Sequence, residues 1–194
     1  MIASYLITDP LFYTQKTESF SNKLLLAINY KKPDFALLRD KSTNDYESLA
    51  KVFVQTLKPL HVKSILHSDI DLALSLGAYG VHLPFTCKDK IQRAKKEGLY
   101  VICSTHAIDE AKEAQTLGAD ALTYSPIFAT PGKGKPVGLE KLKEIVGILS
   151  IDIFALGGIV SEAHIDACAK AGAFGFASIR YFLPSSKGNI CLKP

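Results

Sequence analysis

The chain has 194 residues, of which 47% are hydrophobic and 22% are charged. A length of this order corresponds to one domain, and the composition excludes an intrinsically disordered chain. The formal net charge is only +4, and the basic residues are spread along the chain, so we expect no nucleic-acid partner. No run of about 18 uncharged apolar residues predicts a membrane span. The first residues lack a signal-peptide pattern, so we expect a cytoplasmic protein with no membrane partner.

The cysteines show no spacing that is typical of a metal site. They are Cys87, Cys103, Cys168 and Cys191, and neither a CxxC nor a Cys-His zinc pattern occurs among them. We therefore expect reduced structural thiols, and no metal or other cofactor bound through them.

Short apolar runs alternate along the chain with segments whose apolar residues have helical spacing. The predicted strands are Tyr5–Thr8, Phe35–Leu38, Val62–Leu66, Gly80–Leu83, Tyr100–Cys103, Ala121–Tyr124, Ile153–Leu156 and Gly175–Ser178. The predicted helices are Asn44–Leu57, Ile70–Leu76, Lys88–Glu97, Ile108–Leu117, Leu139–Leu149 and Ser161–Ala171. Three of these helices end in the same phrase, a Gly-Ala pair just before the next strand, and such a glycine typically ends a helix.

Strands that alternate with helices require right-handed crossovers and a parallel sheet. Eight such units predict a single (β/α)8 TIM barrel over residues 1–180, followed by a C-terminal tail over residues 181–194. The alternative is a doubly wound open sheet, but Thr8-Asp9-Pro10-Leu11 stands where that fold places its glycine-rich turn. Because the tail shows no full final helix, a homo-oligomer in which another subunit closes the barrel is a further expectation.

The loops after the strands carry the active site of a barrel. After the seventh strand, Gly157-Gly158 lets the backbone approach a ligand, and the amides of the next helix point toward it. After the eighth strand, Ile179 and Arg180 offer a backbone amide and a guanidinium. We expect these two loops to bind a phosphate; a simple tight turn and a surface cation are the alternatives.

Two further loops carry cations. Arg39 and Lys41 follow the second strand and suit a phosphate or diphosphate. Thr130 and Lys133 lie in the long loop after the sixth strand, where they would hold an anionic substrate and neutralise developing charge. The alternatives are solvated charges in the first case and a mobile surface loop in the second.

Three histidines fall at strand ends, which makes them candidate acids and bases because imidazole titrates near neutral pH. His67 and His106 follow the third and fifth strands, and we predict that they are catalytic together with Lys133. Ser104 is a predicted substrate-binding residue, whereas His82 is interpreted as bonding within the barrel.

Several phrases, in their order and spacing, make the chain resemble the thiamine-phosphate synthase/TenI family along almost its whole length. They are Tyr5-Leu-Ile-Thr-Asp9, Leu38-Arg-Asp-Lys41, Asp71-Leu-Ala-Leu74, Gly80-Val-His-Leu83, Ser104-Thr-His106 with Glu110-Ala111, Ser125-Pro-Ile-Phe128 with Thr130 and Lys133, and Ala155-Leu-Gly-Gly-Ile159. The resemblance implies a (β/α)8 barrel of thiamine biosynthesis. Its synthases join a hydroxymethylpyrimidine diphosphate to a thiazole phosphate with magnesium, whereas its TenI branch contains thiazole tautomerases.

The resemblance also implies roles for individual positions. Residues that fall where synthases hold the diphosphate are Arg39, Lys41, Ser104 and Lys133; those that fall where the thiazole phosphate is held are Thr130, Gly157 and Gly158.

The chain departs from the synthase pattern at the magnesium ligands. Ser68 and Cys87 stand where synthases carry aspartates, and magnesium prefers carboxylate oxygen. We therefore expect no metal, unless Asp69 or Asp89 replaces those ligands. Pro126 stands where some tautomerases carry a histidine.

Three hypotheses follow. The favoured one is a TenI-like tautomerase, an isomerase that transfers protons on a thiazole phosphate. The second is a divergent thiamine-phosphate synthase that uses magnesium. The third is a catalytically silent barrel that binds thiazole or thiamine phosphate as a regulator.

Overall fold

Eight parallel strands close into a barrel in the computed structural model, which describes residues 2–184. The strands are β1 (Ala3–Ile7), β2 (Phe35–Leu38), β3 (Lys63–His67), β4 (Gly80–Pro84), β5 (Tyr100–Thr105), β6 (Ala121–Tyr124), β7 (Asp152–Leu156) and β8 (Gly175–Ser178). Each strand pairs with its neighbours in sequence, and β8 pairs with β1. This arrangement confirms the predicted (β/α)8 barrel and excludes the open sheet.

Helices follow the strands around the outside of the barrel. They are α1 (Pro10–Tyr13), α2 (Thr17–Tyr30), α3 (Tyr46–Leu57), α4 (Ile70–Leu76), α5 (Ile91–Lys96), α6 (Ile108–Thr116), α7 (Gly138–Ile148) and α8 (Glu162–Lys170), with short 3-10 segments at Lys58–Leu60, Phe85–Lys90 and Arg180–Phe182. Among the described residues, none of these helices has the length and apolar character needed to cross a membrane.

Helix α2 lies in a stretch for which the sequence analysis named no helix. Its N-terminus lacks a side-chain cap, so the strongest local signal of a helix start is missing. Its apolar face is nevertheless regular, since Phe20, Leu24, Ala27 and Ile28 are buried at helical spacing against the barrel. Packing of that face therefore stabilises the helix.

Side chains of the strands alternate between two apolar clusters. The cluster inside the barrel consists of Tyr5, Ile7, Phe35, Leu37, Ile65, Ile102, Ala121, Phe154 and Ala177. The strand residues that point outward, such as Leu6 and Ala36, belong to the second cluster, which lies between the barrel and its helices. Strands of a parallel sheet are buried on both faces in this way, so only inward residues near the carboxyl ends of the strands reach a cavity there.

The first residues of the predicted tail pack onto the barrel. Phe182 is buried, and its ring stacks on Phe176 with centroids 5.9 Å apart. The Tyr181 hydroxyl lies 2.7 Å from both the Lys31 ammonium and a Glu162 carboxylate oxygen. Residues 185–194 lie outside the described part of the chain.

Two of the cysteines behave as the sequence predicts for structural thiols. Cys103 and Cys168 are buried and free, and burial raises the pKa of these thiols to about 12 and about 11. Cys87 is partly exposed and also free, while Cys191 lies outside the described residues.

Gly80, the first residue of β4, has no space for a side chain, and the substitution Gly80→Ala tests this packing constraint. A Cβ at Gly80 would lie 2.0 Å from the Tyr100 carbonyl oxygen, so we expect a loss of about 1–3 kcal/mol in the free energy of unfolding. The matched control is Gly147→Ala in α7, where a Cβ meets nothing within 4 Å; it should leave stability unchanged or raise it by up to about 1 kcal/mol. Urea unfolding of both variants measures the difference, and equal stabilities would contradict this packing constraint.

Candidate active site

A cavity of about 460 Å³ opens at the carboxyl ends of the strands. All of the site residues predicted from the sequence line it: Arg39, Lys41, His67, Ser104, His106, Thr130, Lys133, Gly157, Gly158, Ile179 and Arg180. Their convergence follows from the fold, because parallel strands in a barrel all end at the same face. Their individual roles remain predictions.

His67 is held at the mouth of the barrel by the end of the neighbouring strand. The Tyr46 hydroxyl accepts a hydrogen bond from the His67 backbone amide at 3.0 Å and donates one to the Leu38 carbonyl at 3.0 Å. The His67 Nδ1 atom lies 2.9 Å from the hydroxyl of Ser68. Ser68 itself has a φ of 63°, a left-handed conformation that is rare outside glycine and that fixes the direction of this turn.

The electrostatic environment of His67 differs from the sequence-based expectation of titration near neutral pH. Partial burial, together with the positive charges of Lys41 and Arg39, lowers the pKa of His67 to about 4. Both effects disfavour the imidazolium form. The imidazole is therefore neutral at pH 7 and is suited to accept a proton, and an anion bound beside the two cations would raise its pKa.

His106 lies across the cavity in a defined tautomer. Its Nδ1 atom is 2.9 Å from the carbonyl oxygen of Ser125, and since a carbonyl only accepts, Nδ1 carries the hydrogen. The backbone amide of His106 donates to Glu110 at 2.7 Å. The Nε2 atom of His106 is thereby left for a ligand.

His82 forms hydrogen bonds within the barrel, as the sequence predicts. It also lines the cavity, which the sequence did not predict. His82 is 4% exposed, and its ring stacks on that of His67 at a centroid distance of 6.3 Å. Its two nitrogens lie 3.0 Å from the Tyr5 hydroxyl and 2.5 Å from the Ser104 hydroxyl. Burial, followed by the charges of His67 and Arg39, lowers the pKa of His82 to about 3.

The glycine pair after β7 is needed for packing even without a ligand. A Cβ at Gly157 would lie 2.8 Å from Pro126, and one at Gly158 would lie 2.7 Å from Phe128. The Phe128 amide also donates to the Gly157 carbonyl at 3.0 Å. A substitution such as Gly158→Asp would therefore disturb the loop after β6, and its effect on binding would say little about a phosphate.

The loop after β6 is ordered by its own hydrogen bonds as well. The Thr130 hydroxyl donates to the Phe128 carbonyl at 2.9 Å, and the Lys133 amide donates to the Thr130 carbonyl at 3.1 Å. The Lys133 side chain is exposed at the cavity rim. This loop thus presents a hydroxyl and an ammonium to the cavity from a fixed turn.

The loop after β8 is tied to the glycine pair through Ser178. The hydroxyl of Ser178 donates to the Ile159 carbonyl at 2.7 Å and accepts from the Tyr181 amide at 3.2 Å. Ile179 and Arg180 follow at the cavity edge, where Arg180 begins a 3-10 turn. Ile179 and Arg180 therefore line the same cavity as Gly157 and Gly158.

Asp9 is a cavity residue that the sequence analysis did not select. One of its carboxylate oxygens accepts from the Leu11 amide at 3.0 Å, which caps α1, and the other lies 4.0 Å from the Arg39 guanidinium. The Asp-Pro pair directly after β1 is a helix-start signal that would have located it.

The donors around the cavity do not fit a magnesium ion. Asp9 is the single carboxylate among the lining residues of the described chain, and one of its oxygens already caps α1. Asp69 is exposed and caps α4 through Leu72, and Asp89 is exposed on the 3-10 segment after β4. Within residues 2–184, no group of three or more His, Cys, Asp or Glu residues is placed to hold a metal, whereas magnesium requires several oxygen ligands in octahedral geometry.

A second cavity of about 450 Å³ adjoins the first. It shares His67 and is lined by Asp40, Tyr46, Ser68, Asp69, Ile70, Asp71, Lys90 and Arg93. Arg93 forms an ion pair with Asp71, and the Asp40 carboxylate accepts hydrogen bonds from the neutral groups of Gln15 and Ser42.

Arg180→Gln tests the predicted phosphate site without disturbing the glycine loop. We expect the affinity for inorganic phosphate to fall about tenfold, because a charge-assisted hydrogen bond is lost, with no change in stability since Arg180 is exposed. Titration calorimetry measures both proteins, with Arg93→Gln as the control for loss of an arginine elsewhere. Unchanged phosphate affinity in Arg180→Gln would remove this residue from the site.

The two depressed histidine pKa values predict a pH dependence of stability. Unfolded histidine titrates near 6.5, so the unfolded chain binds protons that folded His67 and His82 do not. The free energy of unfolding should therefore be fully present above about pH 6.5 and fall as the pH decreases toward 4 and 3. Between pH 7 and pH 5, before carboxylates titrate, we expect a loss of about 1–2 kcal/mol from His82 alone. Urea unfolding at the two pH values measures the total loss, to which His67 contributes a similar amount, so His82→Gln should remove about half of the pH dependence. A flat profile in the unchanged protein would contradict the burial of neutral imidazoles.

Known proteins resemble this chain along its described length. A family profile described as thiamine monophosphate synthase matches residues 4–182. A putative thiamine-phosphate synthase 2 of Aquifex aeolicus is 35% identical over 184 residues, covering 92% of this chain and 96% of that protein. A thiamine-phosphate synthase of Halalkalibacterium halodurans is 35% identical, covering 72% and 69%. The solved structure of a thiamine phosphate pyrophosphorylase from Pyrococcus furiosus superposes with a TM-score of 0.75 at 26% identity, covering 92% of this chain and 85% of that one. The chain therefore belongs to the thiamine monophosphate synthase family.

Proposed function

We propose that this protein is a proton-transfer isomerase of the TenI-like type that acts on a thiazole phosphate. The proposal rests on the histidines that line the cavity. The carboxylates around the same cavity do not fit a magnesium ion. His67 and His106 both line the cavity, each with Nδ1 engaged by a neighbouring group and Nε2 left for a ligand. Two such groups are what a double-bond shift requires, because one takes a proton and the other returns one.

The environments of the two histidines favour different roles. His67, whose pKa is about 4, is the proton acceptor, with Nδ1 donating to Ser68 and Nε2 facing the substrate. The backbone amide of His106 donates to Glu110 and its Nδ1 hydrogen points to the Ser125 carbonyl, so in this proposal its Nε2 atom returns the proton. The transfer is balanced, since the ring carbon loses one proton and another atom of the same ring gains one.

The remaining lining residues bind the phosphate and stabilise charge. Ile179, Arg180 and the amides beside Gly157 and Gly158 lie together at one side of the cavity. Backbone amides and a guanidinium are typical partners of a phosphate. Lys133, at the rim, is placed to neutralise the negative charge that develops on the ring as the proton leaves.

Four lining residues complete this assignment. Arg39, Lys41, Ser104 and Thr130 are proposed as substrate-binding residues, and the first three would hold the anionic part of a second ligand.

A synthase activity is the second candidate, and two observations favour it. The relatives named above are called thiamine-phosphate synthases, and the second cavity shares His67 with the first. Condensation requires space for two substrates side by side, which the two cavities would provide. Against it stands the donor set, in which Ser68 and Cys87 occupy the positions of the family aspartates.

One pair of assays separates the candidate functions. The first follows the ring protons of a thiazole phosphate tautomer by NMR. The second measures diphosphate release from hydroxymethylpyrimidine diphosphate and thiazole phosphate, with and without magnesium. Isomerisation that needs no magnesium supports the proposal. Condensation that depends on magnesium and is lost in Asp69→Asn or Asp89→Asn would replace it with the synthase function. Thiazole phosphate binding without either reaction would leave a silent binding protein.

Single substitutions of the histidines test their roles. We expect His67→Gln and His106→Gln each to lower the isomerisation rate by about 100-fold or more while phosphate affinity stays within about twofold, because general acid–base catalysis is lost and binding is kept. His61→Gln is the control, since His61 lies before β3 at the opposite end of the barrel. Full activity in either active-site variant would exclude that histidine from proton transfer.

A further inference from the structure

A chain of hydrogen bonds runs from the interior of the barrel to the cavity through Tyr5, His82 and Ser104. The Tyr5 side chain is fully buried in the inner cluster, and its hydroxyl lies 3.0 Å from Nδ1 of His82. Nε2 of His82 lies 2.5 Å from the Ser104 hydroxyl. Ser104 is partly exposed and lines the cavity. This series of hydrogen bonds thus begins at Tyr5 in the protein interior and ends at Ser104 in the cavity.

The numbers of donors and acceptors on the three side chains allow two orientations of these hydrogen bonds. A neutral imidazole has one N–H donor and one acceptor nitrogen, and each hydroxyl has a single hydrogen. In one direction Tyr5 donates to Nδ1, Nε2 donates to Ser104, and the Ser104 hydrogen is left for the cavity. In the reverse direction Ser104 donates to Nε2, Nδ1 donates to Tyr5, and the Tyr5 hydrogen needs another acceptor.

The surroundings of Tyr5 decide between the two directions. Among the described residues, His82 is the one hydrogen-bond partner of the Tyr5 hydroxyl. The inward hydroxyl of Thr123 on β6 is buried but bonds no described residue, Tyr5 included. In the reverse direction the phenol hydrogen would be buried without an acceptor, which is strongly disfavoured. Ser104 meets no such penalty, because its hydrogen faces a cavity.

Burial and neighbouring charges keep the His82 imidazole neutral. Burial, then the charges of His67 and Arg39, lowers the pKa of His82 to about 3. The His67 ring lies parallel to it at an interplanar angle of 9°. A neutral His82 retains one acceptor nitrogen at all pH values near neutrality, so the direction set at Tyr5 is transmitted to Ser104.

We propose that Tyr5 and His82 are positioning residues, which hold the Ser104 hydroxyl so that its hydrogen points into the cavity and donates to an oxygen of a bound phosphate or diphosphate. The inference rests on the proposed function only in requiring an anionic ligand, and it applies equally if the protein is a synthase.

The tautomer of His82 provides a test that needs no ligand. Histidine 15N NMR of the ligand-free protein distinguishes a protonated from an unprotonated ring nitrogen. We expect His82 to carry its hydrogen on Nε2 and to accept at Nδ1, and Tyr5→Phe to weaken that preference. Assignment of the signal uses its loss in His82→Gln. A hydrogen on Nδ1 in the unchanged protein would overturn the proposal, whatever reaction the enzyme performs.

A double-mutant cycle tests the consequence for binding, with inorganic diphosphate as the probe in calorimetry. Tyr5→Phe should weaken diphosphate binding about fivefold in the otherwise unchanged protein, because Ser104 can then turn away. In a Ser104→Ala background the same change should have an effect of less than about twofold. Equal effects in both backgrounds would show that Tyr5 acts only on the structure and would overturn the proposal.

Tyr13→Phe is the matched control for this cycle. Tyr13 is also a buried tyrosine, and its hydroxyl has no hydrogen-bond partner within residues 2–184. Loss of the Tyr13 hydroxyl should leave the diphosphate affinity unchanged. An effect seen only in Tyr5→Phe therefore arises from the hydrogen bonds through His82. If the unchanged protein binds neither phosphate nor diphosphate, the proposed function fails, and the NMR result still decides the direction of the chain.

Discussion

Closure of eight parallel strands into a barrel fixes which side chains face the axis, and the site depends on that alternation. Tyr5, His82 and Ser104 lie on three different strands, yet all three point inward. The alternate residues of the same strands, such as Leu6 and Cys103, pack against the helices. A one-residue slip of any strand would exchange the two sets and remove the cavity wall.

Electrostatics in the cavity follow from two effects that act in the same direction. Burial removes water from His67 and His82. Arg39 adds positive charge beside both, and Lys41 adds to it at His67. Both effects keep these two histidines neutral, although four cationic residues line the cavity. A bound phosphate cancels the second effect and leaves the first. The proton affinity of His67 is therefore coupled to whether an anion is present, as the proposed role of His67 as proton acceptor requires.

Local patterns in the sequence predict the barrel and the membership of the cavity, but not the contacts within it. Strand runs, glycine helix ends and the order of the loops depend on residues near one another in the chain, so periodicity and turn chemistry are sufficient to locate them. The bond from Tyr5 to His82 joins residues 77 positions apart, and no local pattern contains it. The left-handed Ser68 and the low pKa of His67 likewise depend on packing and on charges from other strands. Helix α2 was not predicted, although its buried residues have helical spacing; the missing cap does not explain this, since α5, α6 and α7 also begin without a side-chain cap.

The close fit between the glycine pair after β7 and the loop after β6 has a consequence for engineering. Gly157 and Gly158 lie against Pro126 and Phe128 at distances that leave no space for a Cβ, and the Phe128 amide bonds the Gly157 carbonyl. The two loops therefore form a single mechanical unit although about 30 residues separate them. Grafting either loop alone from another barrel would join surfaces that were not shaped for one another. A chimaera with new substrate selectivity would have to exchange both loops as a pair.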